Sequence, residues 1–497
     1  MSTIAATLRG EGLLERYFGF AARGTTFARD TTAGLTTFVV MSYIIFVNPI
    51  ILTGAHPKFG PSLAFSAVLT STCLVAGVMS ILMGLTTNYA YAIAPGMGLN
   101  AVVAYGLVAS GKASFPEAMG LVVLEGVAMV LLAVTGLREL IFRAIPLELK
   151  KAIAIGIGLF IAFIGLYNSG IIASLPPSAG QPVTLGSFTT WPIFVTIFGI
   201  VFTFALRAIR FRGDLIVGII GTTVVATIIN ALVSHHRAFG TETATWPGWH
   251  HLYAAPNFRL LGNISLHSFS STQLGVIASL VWVFSLFLSD FFDFSGTAIG
   301  VGKQAGYVDG SGNIPKFKKA LIVDGLAAVA GGAASSSSAT TFIESGSGVA
   351  AGGRTGWVAI TAGLLFFPFM FISPLIGMVP AQATAAALIV VGWLMISTLT
   401  EMEGEAEGQA ASKLAGIDFH DLAIGLSAAL AIMIMPFTYS ITNGIGFGFI
   451  TYTVICAARR EWKRIHPFMW IVTAAFVLYF LVPLLQQHVS WFGGQGV

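Results

Sequence analysis

Residues 88–108 read NYAYAIAPGMGLNAVVAYGLV, and residues 335–353 read SSSSATTFIESGSGVAAGG. The first stretch breaks on Pro95 and Gly96 in the middle of an apolar run. The second is crowded with Ser, Thr and Gly around a single acid, Glu344. Neither reads as a continuous helix. Each reads as a short extended piece followed by a half-helix: AYAIA then MGLNAVVAYG, and ATTFI then SGSGVAAG. Irregular backbone at membrane depth is tolerated only inside the protein or lining a cavity. Paired interruptions at corresponding positions of two halves are the best sequence pointer to a transporter's binding site. Tight helix packing explains small residues in general, but not the matched position or the acid at the second break.

The surroundings of both stretches are apolar on a scale that no soluble domain reaches. Of 497 residues, 56% are hydrophobic and only 9% are charged, against about 25% charged in an ordinary domain. With 57 Gly and 39 Phe, the chain has the profile of bundled membrane helices. That composition excludes a nucleic-acid-binding protein, a disordered chain and a disulfide scaffold. The two cysteines, Cys73 and Cys456, lie in apolar runs and offer neither a disulfide framework nor metal-site spacing. The net charge of +4 is small and fits a bias toward one membrane face.

Crossing the hydrocarbon core takes about 20 apolar residues. Dividing the charge-free stretches at Pro, Gly and polar punctuation predicts spans at 33–54, 62–85, 88–109, 117–136, 151–172, 190–207 and 214–234. After a polar segment rich in His and Trp, a second series follows at 274–296, 319–334, 338–353, 355–374, 377–399, 420–436 and 441–458. A further apolar run at 467–485 either crosses once more or packs on the bundle. Lys and Arg cluster before the first span (Arg16, Arg23, Arg29) and after the fourth (Arg138, Arg143, Lys150, Lys151). They cluster again after the sixth (Arg207, Arg210, Arg212), the eighth (Lys303, Lys316, Lys318, Lys319) and the fourteenth (Arg459, Arg460, Lys463, Arg464). All fall on one side if the N-terminus is cytoplasmic, and a single missed span would destroy that agreement. The acids Glu401, Glu403, Glu405 and Glu407 also fall inside, which the rule permits. The first 30 residues have no apolar core of a signal peptide. The expectation is a multi-pass, all-α protein of the cell membrane. Seven spans per half give the halves opposite orientation, hence an inverted repeat.

An acid at membrane depth costs at least about 2.5 kcal/mol and is a functional hypothesis by default. Asp290 and Asp293 in LSDFFDFSGT, three residues apart, share one helix face. Glu344 opens the half-helix of the tenth span. Glu125 in VVLEGVAM and Asp324 in LIVDGLAA stand without neighbouring acids in sequence and read equally well as structural carboxylates. Asp290 and Glu344 are expected to converge on a midplane site. One would carry a proton and the other would accept N–H donors from a substrate, with Asp293 either binding or positioning Asp290. Within this reading Glu344, at a helix N-terminus, stays ionised, and Asp290, amid Phe287, Phe291 and Phe292, is the proton carrier. Asn100 follows the third-span break and can both donate and accept. Ser345 lies beside Glu344. A carboxylate, an amide and aromatic faces such as Phe292, Phe294, Tyr43, Phe46 and Phe342 suit a purine-like ring.

These residues resemble a known family. FVVMSYIIFVNPIIL (38–52), APGMGLNA (94–101), GIGLFIAFIGLYNSGII (156–172), FFDFSGTAIGVGKQAG (291–306), SSATTFIESGSGVAAGGRTG (337–356) and FGFITYTVICAARREW (447–462) look like the AzgA-like purine permeases. These are a branch of the nucleobase–cation symporter superfamily, which also holds the uracil and xanthine/uric acid transporters. The tenth span has the Glu-Ser-Gly-Ser-Gly form of the purine branch in place of the Gln-Asn-x-Gly of the xanthine branch. The resemblance implies fourteen spans in two inverted seven-segment repeats, with strands and half-helices in segments three and ten. It divides the chain into a cytoplasmic segment 1–32, a core domain (33–137 and 274–376), a gate domain (138–234 and 377–460), an external loop 235–273 and a C-terminal helix and tail 461–497. It implies proton symport of adenine, guanine or hypoxanthine by elevator-like alternating access, with the proton as coupling ion and no cofactor or metal. It also implies membrane lipid as surroundings, no nucleic-acid partner, and a homodimer through the gate domain. By the same resemblance Asn100, Asp290 and Glu344 stand at the family's polar positions, and Gly98 and Leu99 lie beside the substrate, with Leu99 narrowing the pocket.

Two other classes are weighed against this. An anion transporter of the same fold would be repelled by Asp290 and Glu344. An intramembrane enzyme would need its acids on facing helices, whereas Asp290 and Asp293 share one. His235, His236, His250, His251 and His267 lie in or beside the external loop and form no HExxH pattern.

Overall fold

The computed structural model describes residues 12–54, 63–136, 144–175, 183–211, 213–233, 238–239, 244–248, 251–270, 274–308, 314–401 and 417–488, with side chains at 398–401 and 482–488 excepted. Arg138, Arg143, Arg212, His235, His236, His250, Glu403, Glu405 and Glu407 lie outside these residues.

Among the described residues, eight helices are long and apolar enough to cross a membrane: Phe27–Gly54, Phe65–Thr87, Phe115–Thr135, Leu147–Asn168, Trp191–Ala208, Asp214–Leu232, Gly275–Gln304 and Ile441–Ala458. These are spans one, two, four to eight, and fourteen. The ninth is Phe317–Ala333, the eleventh Trp357–Phe371, the twelfth Ala381–Glu401 and the thirteenth Leu422–Phe437. The apolar run at the C-terminus is a further helix, Pro467–His488. The chain is thus an all-α polytopic membrane protein of fourteen segments in two opposed halves. The first span is split into Phe27–Met41 and Ile44–Gly54. Pro49 within the second piece lacks the N–H that would continue the ladder.

The third and tenth segments are broken as the sequence predicts. Strand β1 (Ile93–Pro95) is followed by a helix at Met97–Ala109, whose Val102–Ala109 portion is wound as a π-helix. Strands β2 (Ile172–Ser174) and β3 (Val183–Leu185) form a small hairpin after the fifth span. Strand β4 (Ala339–Thr341) is followed by a six-residue helix, Ser345–Ala350.

The repeat is visible in the packing. The fourth span lies along the ninth, and the second along the eleventh. An inverted repeat exchanges these two pairs. The fifth and twelfth spans, equivalent to each other, touch backbone to backbone. A Cβ on Gly392 would come within 2.4 Å of the Gly158 carbonyl oxygen, so only glycine fits there. Three of the cations predicted to share one face sit at the ends of spans. Arg23 donates to the Asn88 carbonyl (2.7 Å), Lys316 to that of Thr87 (2.9 Å) and Lys318 to that of Val134 (3.0 Å). Each closes the carbonyl end of a span, where a cation is favoured.

Three features differ in a way that matters. The eighth span runs to Gln304, well past the predicted 296, so Asp290 sits at the middle of a 30-residue helix and not at its end. The half-helix at Ser345–Ala350 is shorter than the motif implies, because Gly352 takes φ +99° and stops it. The helical part of the third span departs from α-geometry, which no residue pattern announces.

Candidate functional site

Strands β1 and β4 cross the middle of the bundle antiparallel, with Ile93 opposite Thr341, Ala94 opposite Thr340 and Pro95 opposite Ala339. All six residues are buried. At membrane depth their peptide groups have no water to bond with, so each strand satisfies the other. The pairing continues past the strand ends. Gly96 N–H donates to the Ser338 carbonyl (2.8 Å), Phe342 N–H to that of Ala92 (2.9 Å), and Ala92 N–H to the Ser345 hydroxyl (2.9 Å). Ser80 on the second span donates to the Ile93 carbonyl (2.9 Å) and accepts from the Ile93 N–H (2.8 Å).

The acids divide between two sides of this crossing. On one side the half-buried Glu344 accepts a hydrogen bond from the Tyr43 hydroxyl (2.7 Å), and half-buried Asp293 faces both. The Tyr43 and Phe342 rings lie 6.4 Å apart beside them. The Glu344 side chain makes no cap to its own half-helix. On the other side Glu125, Asp290 and Asp324 are each fully buried. Asp324 accepts from Thr341 N–H (2.8 Å), Thr341 hydroxyl (2.9 Å) and Thr340 hydroxyl (3.2 Å). Glu125 accepts from the Ser338 hydroxyl (3.2 Å). Asp290 faces Glu125, and among the described residues neither of its oxygens has a donor.

The predicted residues are therefore sorted as follows. Asp290 does not meet Glu344, because its helix turns it toward the fourth and ninth spans; Asp293 is the acid of that helix that faces Glu344. Glu344 is held by Tyr43 and not by helix N–H groups. Asn100 is fully buried and donates to Asn48 (2.6 Å), whose own amide donates to Thr72 (2.8 Å) and to the Ser336 carbonyl (3.1 Å). Through its amide N–H, Asn100 thus joins the first, second, third and tenth segments, while among the described residues its Oδ1 is buried without a donor. Gly98 abuts the fifth and fourteenth spans, where a Cβ would come within 3.0 Å of Ile157 and 3.5 Å of Ile441. Leu99 is buried next to Gly96, and Phe292 is buried against Phe291. Ser345 ties the tenth segment to the third. Sequence reading set Glu125 and Asp324 aside and saw Tyr43 only as an aromatic face. The Ser and Thr run at 335–341 was the available signal, since it supplies the donors these acids use.

A cavity of about 710 Å³ lies elsewhere, among Tyr105, Phe163, Tyr167, Asn168 and Tyr439. Beside it the Tyr439 ring is packed edge-on to Tyr105, Phe160, Phe163 and Tyr167. Asn168 donates to the Tyr105 hydroxyl (3.2 Å), and Ser285 to Thr442 (2.7 Å).

Two opposed repeats, a strand crossing at membrane depth and acids on both of its sides are the arrangement of a membrane transporter. Residues 29–414 match the Permease family designated Xan_ur_permease. The chain is 37% identical over 475 residues to the guanine/hypoxanthine permease PbuG of Bacillus subtilis, covering 94% of this chain and 99% of that one. It is 36% identical over 471 residues to the adenine permease AdeP of Escherichia coli, covering 94% and 96%. It belongs to this permease family, and the resemblance to the purine branch stands. In fold it matches the transmembrane domain of a cyanobacterial bicarbonate transporter, BicA, with a TM-score of 0.57 at 14% identity, over 84% of this chain and 96% of that one. The shared fold thus serves anion carriers as well, and the choice of substrate rests on the site.

Proposed function

We propose that this protein carries purine nucleobases, adenine, guanine or hypoxanthine, across the cell membrane together with protons. The observation that carries this reading is the half-buried Glu344, fixed by Tyr43 and flanked by Phe342, beside the strand crossing. A carboxylate held by one hydroxyl keeps acceptor capacity for the adjacent ring and exocyclic N–H groups of a purine, and a ring face stacks on an aromatic side chain. Its relatives' names give the same substrate class.

In this reading the N-terminus is cytoplasmic. Spans one to four and eight to eleven form the core that carries the site, and spans five to seven and twelve to fourteen form the gate. The outer contacts, Asn168 with Tyr105, Ser285 with Thr442 and the rings around Tyr439, join core to gate. Asp293, Gly296, Gly300 and Lys303 follow one face of the eighth span to its cytoplasmic end, with open space beside Gly296. Both features fit a site closed to the outside and reached from the cytoplasm, with alternating access by movement of the core along the gate.

The test is uptake of labelled hypoxanthine with competition by adenine, guanine, xanthine and uracil, with and without a protonophore. Purines that compete, and uptake that collapses with the gradient, support the reading. Full uptake without a gradient, or competition by uracil alone, refutes it.

A further inference from the structure

We propose that Glu125 and Asp290 together form a two-carboxyl site that holds one proton between them, and that this shared proton is the coupling ion. The inference rests on the proton-symport reading and gives it an atomic site.

Asp290 is fully buried at the middle of the eighth span, and neither of its carboxyl oxygens meets a donor. The group opposite is the Glu125 carboxyl of the fourth span, whose Oε2 is likewise buried without a donor and whose Oε1 meets only the Ser338 hydroxyl. The nearby donors are committed. Thr340 and Thr341 turn theirs to Asp324, the third acid facing this space, from the ninth span. Asp293, on the same helix as Asp290, faces Glu344 on the other side. Among the described residues no Lys, Arg or His is ion-paired or hydrogen-bonded with any of the three buried acids.

Two facing carboxylates in a dry interior repel each other, and three of their four oxygens are left without a donor. A single proton between them removes one charge and turns one acceptor into a donor aimed at the other. A metal ion would answer the same need, but among the described residues no three acidic, His or Cys side chains are placed to hold one. The site is also connected to the substrate side. Ser338 and Thr340 belong to the β4 segment, and Asp290 is three residues from Asp293 on a rigid helix. Gain or loss of the proton therefore acts on the elements that carry Glu344.

The experiment uses the purified full-length protein in liposomes, with labelled hypoxanthine and a parallel arm with labelled adenine. A pH gradient of one unit coupled to one proton supports about tenfold accumulation. Glu125→Gln leaves a permanent donor to Asp290, so the variant is expected to lose that accumulation and still exchange labelled for unlabelled purine. Asp290→Asn is expected to do the same. Infrared difference spectra should show one protonated-carboxyl band in the unaltered protein that disappears in both variants.

Accumulation by Glu125→Gln equal to that of the unaltered protein overturns the inference and leaves symport standing. Indifference of the unaltered protein to the pH gradient overturns symport itself, and the inference with it. Uptake driven by a sodium gradient overturns the choice of proton. If a variant loses exchange as well, Glu125→Asp decides. This shorter acid can still share a proton and should regain gradient-driven accumulation, and failure to regain it counts against the inference.

Discussion

The two sides of the β1–β4 crossing hold the same functional group in opposite settings. Glu344 on one side is half-buried, bonded to Tyr43 and next to aromatic faces. Asp290 on the other is sealed off, opposite a second carboxyl, with no donor of its own. Asp324, a few residues' width away, is just as buried and has three donors. Burial alone therefore says little about what an intramembrane acid does; the count of donors around it says more. A satisfied buried acid holds structure, an accessible one with spare lone pairs binds, and an unsatisfied one takes up a proton.

The largest effect should come from Glu344→Gln. Losing a charged hydrogen bond to substrate should cost about 2–5 kcal/mol of purine binding, at every pH, by titration of detergent-purified protein. Asp290→Asn should keep measurable binding and flatten its pH dependence. The reverse pattern would exchange the roles of the two sides. Next comes Tyr43→Phe, which removes the one donor that the structure gives Glu344 from another residue. A hydrogen bond to a charged group is worth about 1.5–3 kcal/mol, and the loss should appear in purine affinity more than in melting temperature. Thr341→Val should behave in the opposite way. It removes one of Asp324's donors and should lower folding stability by about 1–3 kcal/mol, seen in thermal unfolding, with a smaller change in affinity. If it abolishes transport without lowering stability, Asp324 is more than a structural anchor.

The smallest effect lies outside the membrane and supplies a control for pH. Asp421, at the start of the thirteenth span, has its carboxyl held below the usual aspartate range chiefly by the hydrogen bond from Arg464. Depression of a folded-state pKa stabilises the folded protein above the unfolded value, about 3.9, and that stabilisation is lost as pH falls through the folded value. Arg464→Gln should therefore lower stability by at most about 1 kcal/mol at neutral pH, since the pair is partly exposed, and the difference should vanish in acid well below pH 4. It should leave the pH profile of transport in place, whereas the carboxyls at the crossing should move it.

Much of this was legible in the residues. Pro95-Gly96 and the Ser-Thr-Gly run around Glu344 marked the broken segments, because only special backbone needs such residues at that depth. Arg23, Lys316 and Lys318, three of the cations from which the sequence reading took its topology, stand at the carbonyl ends of spans. What stayed hidden depends on rotation and long-range contact. Asp290 and Asp293 share a helix and differ by only 60° around it at 100° per residue, yet the strand crossing separates what they face. Glu125 and Asp324 looked solitary because their neighbours are far away in the chain. The hydrogen bond from Asn100 to Asn48 was hidden for the same reason, since nothing in the sequence around Asn100 announces that partner.

The strand pairing also has a consequence for how the protein is made. Residues 93–95 find their partners only at 339–341, about 245 residues later. At about 5–20 residues per second, the ribosome needs roughly 12–50 s to deliver them. Throughout that interval the first half sits in the bilayer with a row of peptide groups whose eventual mates do not yet exist. The nascent chain has to keep that row wet, shielded or provisionally bonded. A gene fragment ending before the second half should give a product that quality-control proteases remove, and co-expressing the missing half should rescue it.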